Sequence, residues 1–185
     1  SPVGTYQVEN FEDDLCKFIE HAEIDSPVII GHGFGGMVAL HFSMKYPKIA
    51  SALIVISPYI YEKEDPLKMD IKEGMELALV KDMQAAYKKR RKSKREPRGM
   101  SSKERAEHHR LFLKNDPMGY SYSCSADLDL PSMKEQIVNI SIPVLLVYGE
   151  LDTKKNQSIS PQNSSPNFEN IIVVGAGNYA HLDRP

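Results

Sequence analysis

Residues 31–36, Gly31-His32-Gly33-Phe34-Gly35-Gly36, are the stretch whose residue types and spacing bear most directly on chemistry. Gly31, Gly33 and Gly36 satisfy G-x-G-x-x-G, a pattern in which glycines let backbone N–H groups approach a pyrophosphate at the start of a helix. A site of that kind carries an acidic residue about 20 positions later, at the end of the next strand. The next apolar strand, Ala52-Leu53-Ile54-Val55-Ile56, instead runs into Ser57-Pro58, and the first acid after it is Glu62. The other chemistry-bearing residues are Asp152, which closes Gly149-Glu150-Leu151-Asp152, His181 and Asp183 near the end of the chain, Ser57 after the apolar strand, and His108-His109. The histidine pair has only Glu104 and Glu107 nearby and lacks metal-ligand spacing, so it reads as surface helix. No metal and no cofactor is expected.

The elements that position these residues follow from periodicity. Pro27-Val28-Ile29-Ile30 is a short β-branched run that enters the glycine turn, and Met37, Val38, Leu40 and Phe42 then open a helix that Tyr46-Pro47 stops. Before the run, Val8, Phe11, Leu15, Phe18, Ile19 and Ala22 recur at helical spacing, which predicts an amphipathic helix over 8–23 with acids in its first half, where the macrodipole favours them. Residues 52–56 form a second strand. Ile142-Pro143-Val144-Leu145-Leu146-Val147-Tyr148-Gly149 and Ile171-Ile172-Val173-Val174-Gly175 predict two more, each ending in small or acidic residues. Continuous apolar runs alternating with helices argue a parallel sheet covered by helices, with ligands at the carboxyl ends of its strands.

Between the second and third strands the chain changes character. Residues 59–137 are charged, with Met75 to Tyr87 predicting one amphipathic helix and Arg105 to Leu113 another. Lys88 to Arg98 carries eight basic residues in eleven. A nuclear-localisation or nucleic-acid patch is one reading of that run. Without interleaved aromatics it reads better as a solvated helix end and loop, and nucleic acid is not the expected partner. Ser1 to Tyr6 and Gln157 to Pro166 read as loops.

Composition limits the possibilities further. The 185 residues are 41% hydrophobic and 26% charged with a formal net charge of −2, the profile of one soluble domain able to bury a core. No apolar run reaches the roughly 18 residues of a membrane span. The two cysteines, Cys16 and Cys124, show no C-x-x-C spacing, so a cytoplasmic or other reducing intracellular compartment is expected.

Taken in order, these motifs resemble the α/β-hydrolase family, in particular its enol-lactonase and C–C hydrolase branches. The glycine turn resembles the family's G-x-S-x-G nucleophile elbow, with Gly33 where the serine belongs. Residues 59–137 stand where the family has a helical cap between core parts 1–58 and 138–185, and Asn115-Asp116-Pro117-Met118-Gly119-Tyr120 is similar to a segment of those branches. Gly149 to Asp152 matches the acid turn, and Gly175 to Pro185 matches the last motif. The resemblance implies a mostly parallel sheet with an inserted helical cap, lacking the family's N-terminal strands and a final helix. It leaves strand 28–31 open on one side, so the sequence is either a piece of a longer product or has its sheet edge completed by a protein partner.

The resemblance places the triad at Gly33, Asp152 and Asn178, with the Phe34 backbone N–H as an oxyanion donor. Gly33 has no side chain, and the amide of Asn178 cannot take a proton near neutral pH. His181 and His32 read as packing or supporting residues, Ser57 has no base placed to activate it, and Asp152 without a histidine only closes a turn. The expected function is a catalytically impaired homologue of serine esterases and lactonases that binds a small-molecule ligand under the cap or a protein partner. The alternatives are a hydrolase of a small ester or lactone that uses His181 with Asp152 to activate water, and a scaffold subunit whose basic run meets an acidic partner.

Overall fold

The computed structural model describes residues 6–59, 66–92, 97–130, 133, 136–153, 155 and 166–185. Most of the loop expected over Gln157 to Pro166 lies outside them, as do residues 1–5 and part of the basic run. Four strands, β1 (Val28–His32), β2 (Ala52–Ile56), β3 (Val144–Gly149) and β4 (Phe168–Val173), form one sheet in the order β1-β2-β3-β4. All pairs are parallel, with Ile30 opposite Ile54, Ile54 opposite Leu145 and Leu145 opposite Glu169. The carboxyl ends of all four strands therefore lie along one edge of the sheet, where His32, Ile56 and Val147 fall in register. As the continuous apolar runs require, β2 and β3 are interior strands. β1 is an edge with Ile30 64% exposed.

Helix α1 (Val8–His21) packs on α2 (Phe34–Lys45), which packs in turn on β1 and β2. α2 is apolar nearly all round and buried from Gly36 to Ser43, as a helix between a sheet and a second helix must be. Met37, Leu40, Leu53, Val55, Leu146 and Tyr148 make up much of the central core, each large apolar side chain contributing about 1.5–3 kcal/mol on burial. Among the described residues four helices lie between β2 and β3: α3 (Pro66–Val80), α4 (Met83–Lys92), α5 (Ser102–Leu113) and α6 (Pro117–Leu128). They pack on one another and reach the central core through Ile71 of α3. A short 3-10 turn at Ile137–Asn139 precedes β3, and α7 (Ala180–Asp183) follows β4.

One local expectation needs correction. The single helix expected from Met75 to Tyr87 is two, because the N–H groups of Lys81 and Asp82 both bond the Leu77 carbonyl and end α3. Asp82 then caps α4, its carboxylate accepting from the Ala85 N–H at 2.7 Å. Apolar periodicity runs through this break and hides it. The Asn115 to Tyr120 segment is the start of α6, with Asp116 as N-cap accepting from Gly119 N–H at 2.6 Å and Pro117 in the first turn.

The α1–α2 seam buries the Glu12 carboxyl and the His41 imidazole. Glu12 sits with one oxygen 3.9 Å from His41 Nδ1 and the other 3.4 Å from Lys45 Nζ, while Lys45 also bonds Asp13 at 2.6 Å. Burial raises the Glu12 carboxyl above its ordinary value despite Lys45, and burial lowers the His41 imidazole below 6.5 although Glu9 opposes the shift. A lowered imidazole contributes stability above its unfolded value and loses it as pH falls through the folded value. A raised carboxyl works oppositely, costing stability as pH rises above its unfolded value. The apparent Tm should therefore fall as pH drops below about 6.5, and His41→Gln should flatten that limb. A thermal melt series in both proteins that gives parallel pH curves would contradict this.

Candidate functional site

The site is built where β1 turns into α2. Gly33 has φ +55° and ψ −122°, a left-handed conformation at the tip of the turn. Its N–H bonds the Ile56 carbonyl at 2.9 Å, and its own carbonyl accepts from Gly36 and Met37 N–H at 3.0 and 3.1 Å. A Cβ at Gly31 would overlap the Gly35 carbonyl and lie 2.7 Å from Gly36 Cα. One at Gly36 would lie 2.7 Å from Val55 Cγ1. Those two glycines let helix, strand and neighbouring strand close up. Phe34 is the first residue of α2, so its N–H belongs to the first turn, which has no intrahelical carbonyl to bond. Its ring is fixed edge-on against Phe11 of α1 at 5.3 Å between centroids.

The ends of β2 and β3 bring the remaining candidates alongside. Ser57, the residue after β2, has φ +47° and is fully buried, with its N–H on the Val147 carbonyl at 2.8 Å. Gly149 ends β3 so close to the turn after β4 that a Cβ would overlap the Gly177 and Ala176 carbonyls. Leu151 N–H bonds Ala176 O at 2.9 Å, and the Glu150 carboxylate accepts from Gly175 N–H at 2.9 Å. Asp152 is 4% exposed, its N–H on the Gly149 carbonyl. Burial, with the Asp152 charge adding to it, pushes the Tyr148 phenol well above its ordinary range.

Asn178 lies in this cluster, and its carbonyl accepts from Ser57 Oγ at 2.8 Å and His32 Nε2 at 2.9 Å. A carbonyl only accepts, so Nε2 of His32 carries a proton. The side chain of the residue preceding Gly33 is thus hydrogen-bonded to the backbone carbonyl of residue 178. The Asn178 amide nitrogen is buried without an acceptor among the described residues. His181 is exposed and packs its ring on His32 at 5.2 Å and Tyr179 at 6.1 Å. His32, expected only to pack, also ties the elbow strand to the last motif.

Several supporting residues, Asp183 apart, carry no obvious sequence signal. The Tyr179 ring packs against His32 at 4.5 Å between centroids, tilted by 39°, and its hydroxyl accepts a hydrogen bond from the Arg90 guanidinium of α4. Asp183 accepts from Arg98 N–H at 2.5 Å and Gly99 N–H at 3.1 Å through one oxygen and from Gly177 N–H at 2.8 Å through the other. Tyr59 donates to buried Asp127 of α6. Lys89 pairs with Asp70, at 3.0 Å, and with Glu73 of α3. Part of the basic run therefore fastens α4 to its neighbours, a role that only side-chain direction reveals. His109 is bonded to Gln84 at 2.9 Å and stacked on Tyr87. Among the described residues no group of three or more His, Cys, Asp or Glu side chains is placed to hold a metal ion, and no helix is long and apolar enough to cross a membrane.

A parallel sheet with a glycine-rich turn at the carboxyl end of one strand, an acid turn after another and a third loop folded onto both defines the class. Residues 1–185 match the model of the alpha/beta hydrolase fold, and the chain belongs to that family. The pimeloyl-[acyl-carrier protein] methyl ester esterase of Wigglesworthia glossinidia brevipalpis is 27% identical over 188 residues, spanning 94% of this chain and 72% of that protein. The 1-acylglycerol-3-phosphate O-acyltransferase ABHD5 of Sus scrofa is 23% identical over 224 residues, spanning 96% of this chain but only 58% of the acyltransferase. A solved structure from a study of carboxylesterases of the thaumarchaeon Nitrososphaera gargenis superposes with a TM-score of 0.80 at 20% identity, covering all of this chain and 70% of that one.

Proposed function

We propose that this chain is a catalytically impaired member of the family that binds a small ester, lactone or acyl ligand without turning it over. The reading rests on one observation: the tight strand-to-helix turn has Gly33 at its tip, and the loop whose backbone the neighbouring His32 and Ser57 side chains hold carries Asn178. Acyl transfer needs a side-chain nucleophile and a base to take its proton, and neither residue supplies one. In this reading the Phe34 N–H polarises the ligand carbonyl, Asp152 closes its turn, and residues 59–137 act as a cap over the strand ends. The retained electrostatics bind an acyl oxygen but form no covalent intermediate. The esterase and acyltransferase relatives support an ester or acyl group as the ligand class.

The test is a fluorophosphonate probe with intact-mass readout, run beside turnover of a p-nitrophenyl ester. No adduct and no rate above buffer are expected. A stoichiometric adduct would overturn the reading, and peptide mapping would show whether Ser57 carries it. Turnover that rises with pH and disappears in His181→Ala would replace it with water activation by His181 and Asp152.

A further inference from the structure

A second site lies where α1 begins and α6 ends. Tyr122, Ser125, Ala126 and Asp129 fall at i, i+3, i+4 and i+7, so one face of α6 turns toward residues 6–9. The cavity between them measures about 340 Å³, a size suited to a small molecule, and no strand lines it. Its lining holds two carboxylates, Glu9 in the first turn of α1 and Asp129 at the C-cap of α6, and no lysine, arginine or histidine. Neither carboxylate has an ion-pair partner among the described residues, and Asp129 accepts only a long bond from Ser125 Oγ at 3.4 Å. The cavity has an aromatic wall as well. Tyr6 stacks on Tyr122 at 5.6 Å between centroids and 28°, and Phe11 holds Tyr6 edge-on at 6.3 Å. The macrodipole of α6 adds negative potential at this end, while the opposite end of α1 is offset by Glu9 in its first turn.

From this arrangement we propose that the α1–α6 cavity binds a short aliphatic diamine in its doubly protonated form. Ammonium groups donate charge-assisted hydrogen bonds to carboxylates, and the faces of tyrosine rings attract an ammonium while covering the methylenes between its two ends. Two carboxylates brought from separate helices, with no cation in the lining to neutralise them, suit a dication better than a single charge. A metal ion fits less well. Hard cations take six or more oxygen ligands, and among the described residues no group of three or more His, Cys, Asp or Glu side chains is placed to hold one. The site does not depend on the elbow reading.

The experiment is calorimetric titration of the whole chain with 1,4-diaminobutane, with 1-aminobutane, 1,4-butanediol and calcium chloride as separate arms, at low and physiological ionic strength. Saturable one-to-one binding of the diamine is expected, weakening with salt, with the monoamine about tenfold weaker and no heat from the diol. Glu9→Gln combined with Asp129→Asn, both exposed positions, should weaken binding by roughly tenfold or more. Tyr122→Leu, which removes one ring of the wall, should weaken it about two- to fivefold. Asp14→Asn, on α1 but outside the cavity, should leave it unchanged. Circular dichroism melts of the variants confirm that they are folded. Monoamine binding as tight as the diamine would reduce the site to a single-ammonium site and overturn the diamine assignment. Absence of saturable binding, equal affinity in the folded double variant or in Tyr122→Leu, or tighter binding of calcium would each overturn the proposal.

Discussion

Gly31→Ala should leave a chain that does not reach the folded state. The added methyl would overlap the Gly35 carbonyl and lie 2.7 Å from both Gly35 C and Gly36 Cα, all backbone atoms of the turn and first helical turn. Backbone cannot rotate out of the way as a side chain does, so α2 would have to lift off β1. That lift would open the contacts of Met37, Leu40 and Val55, all but fully buried. Overpacking in a well-packed core costs about 1–3 kcal/mol, and displacing a central helix exceeds that. Set against a total stability of about 5–15 kcal/mol, such a loss unfolds a domain of this size. Gly35→Ala is the control. A Cβ at that position meets nothing within 4 Å, and replacing helical glycine is worth up to about 1 kcal/mol in favour of the fold. Urea denaturation should show Gly35→Ala at or above the parent midpoint and no cooperative transition for Gly31→Ala. Equal midpoints for the two would mean that the turn is not packed as described.

Gly33→Ser with Asn178→His should give a slow esterase. A Cβ at residue 33 meets nothing within 4 Å, so a hydroxyl can stand at the tip of the turn, at a backbone strain of about 1–3 kcal/mol for a side chain at φ +55°. The backbone of residue 178 is held to the elbow strand and the end of β2 through its main-chain carbonyl, which accepts from His32 and Ser57, and Asp152 lies in the turn after β3. An imidazole there would take the serine proton, a step worth about 10²–10⁴-fold in rate. The double variant should label with fluorophosphonate and hydrolyse p-nitrophenyl acetate above buffer. The serine variant alone should label far more slowly, and the histidine variant alone not at all. A folded double variant with neither label nor turnover would separate positions 33 and 178 and undo the impaired-hydrolase account.

The strands were readable because β-branched runs such as Val28 to Ile30, Leu53 to Ile56 and Val144 to Val147 have one stable use in a parallel sheet, buried between helices. The elbow was readable because close approach of a strand and a helix admits only small residues, and Gly31 and Gly36 sit where the overlap occurs. The α3–α4 break was not, since apolar spacing continues across Lys81-Asp82 and the interruption lies in backbone hydrogen bonding. The basic run was readable as charge but not as contact. Lys89 and Arg90 turn inward to Asp70, Glu73 and Tyr179, a direction set by the rotation of about 100° per residue around α4.

The amino-acid sequence by itself determined the identity of the groups at the chemical positions: no side chain at Gly33, an amide at Asn178, a carboxylate at Asp152. Residue type is a local property, and whether a group can give or take a proton follows from its composition. Tertiary structure alone decided which distant groups meet. The His32 and Ser57 donors on the Asn178 backbone carbonyl and the Asp183 carboxylate on the Arg98 and Gly99 amides both join residues from separate elements. Such contacts arise when burial of the apolar faces brings those elements together, and no local pattern of residue types encodes their distances.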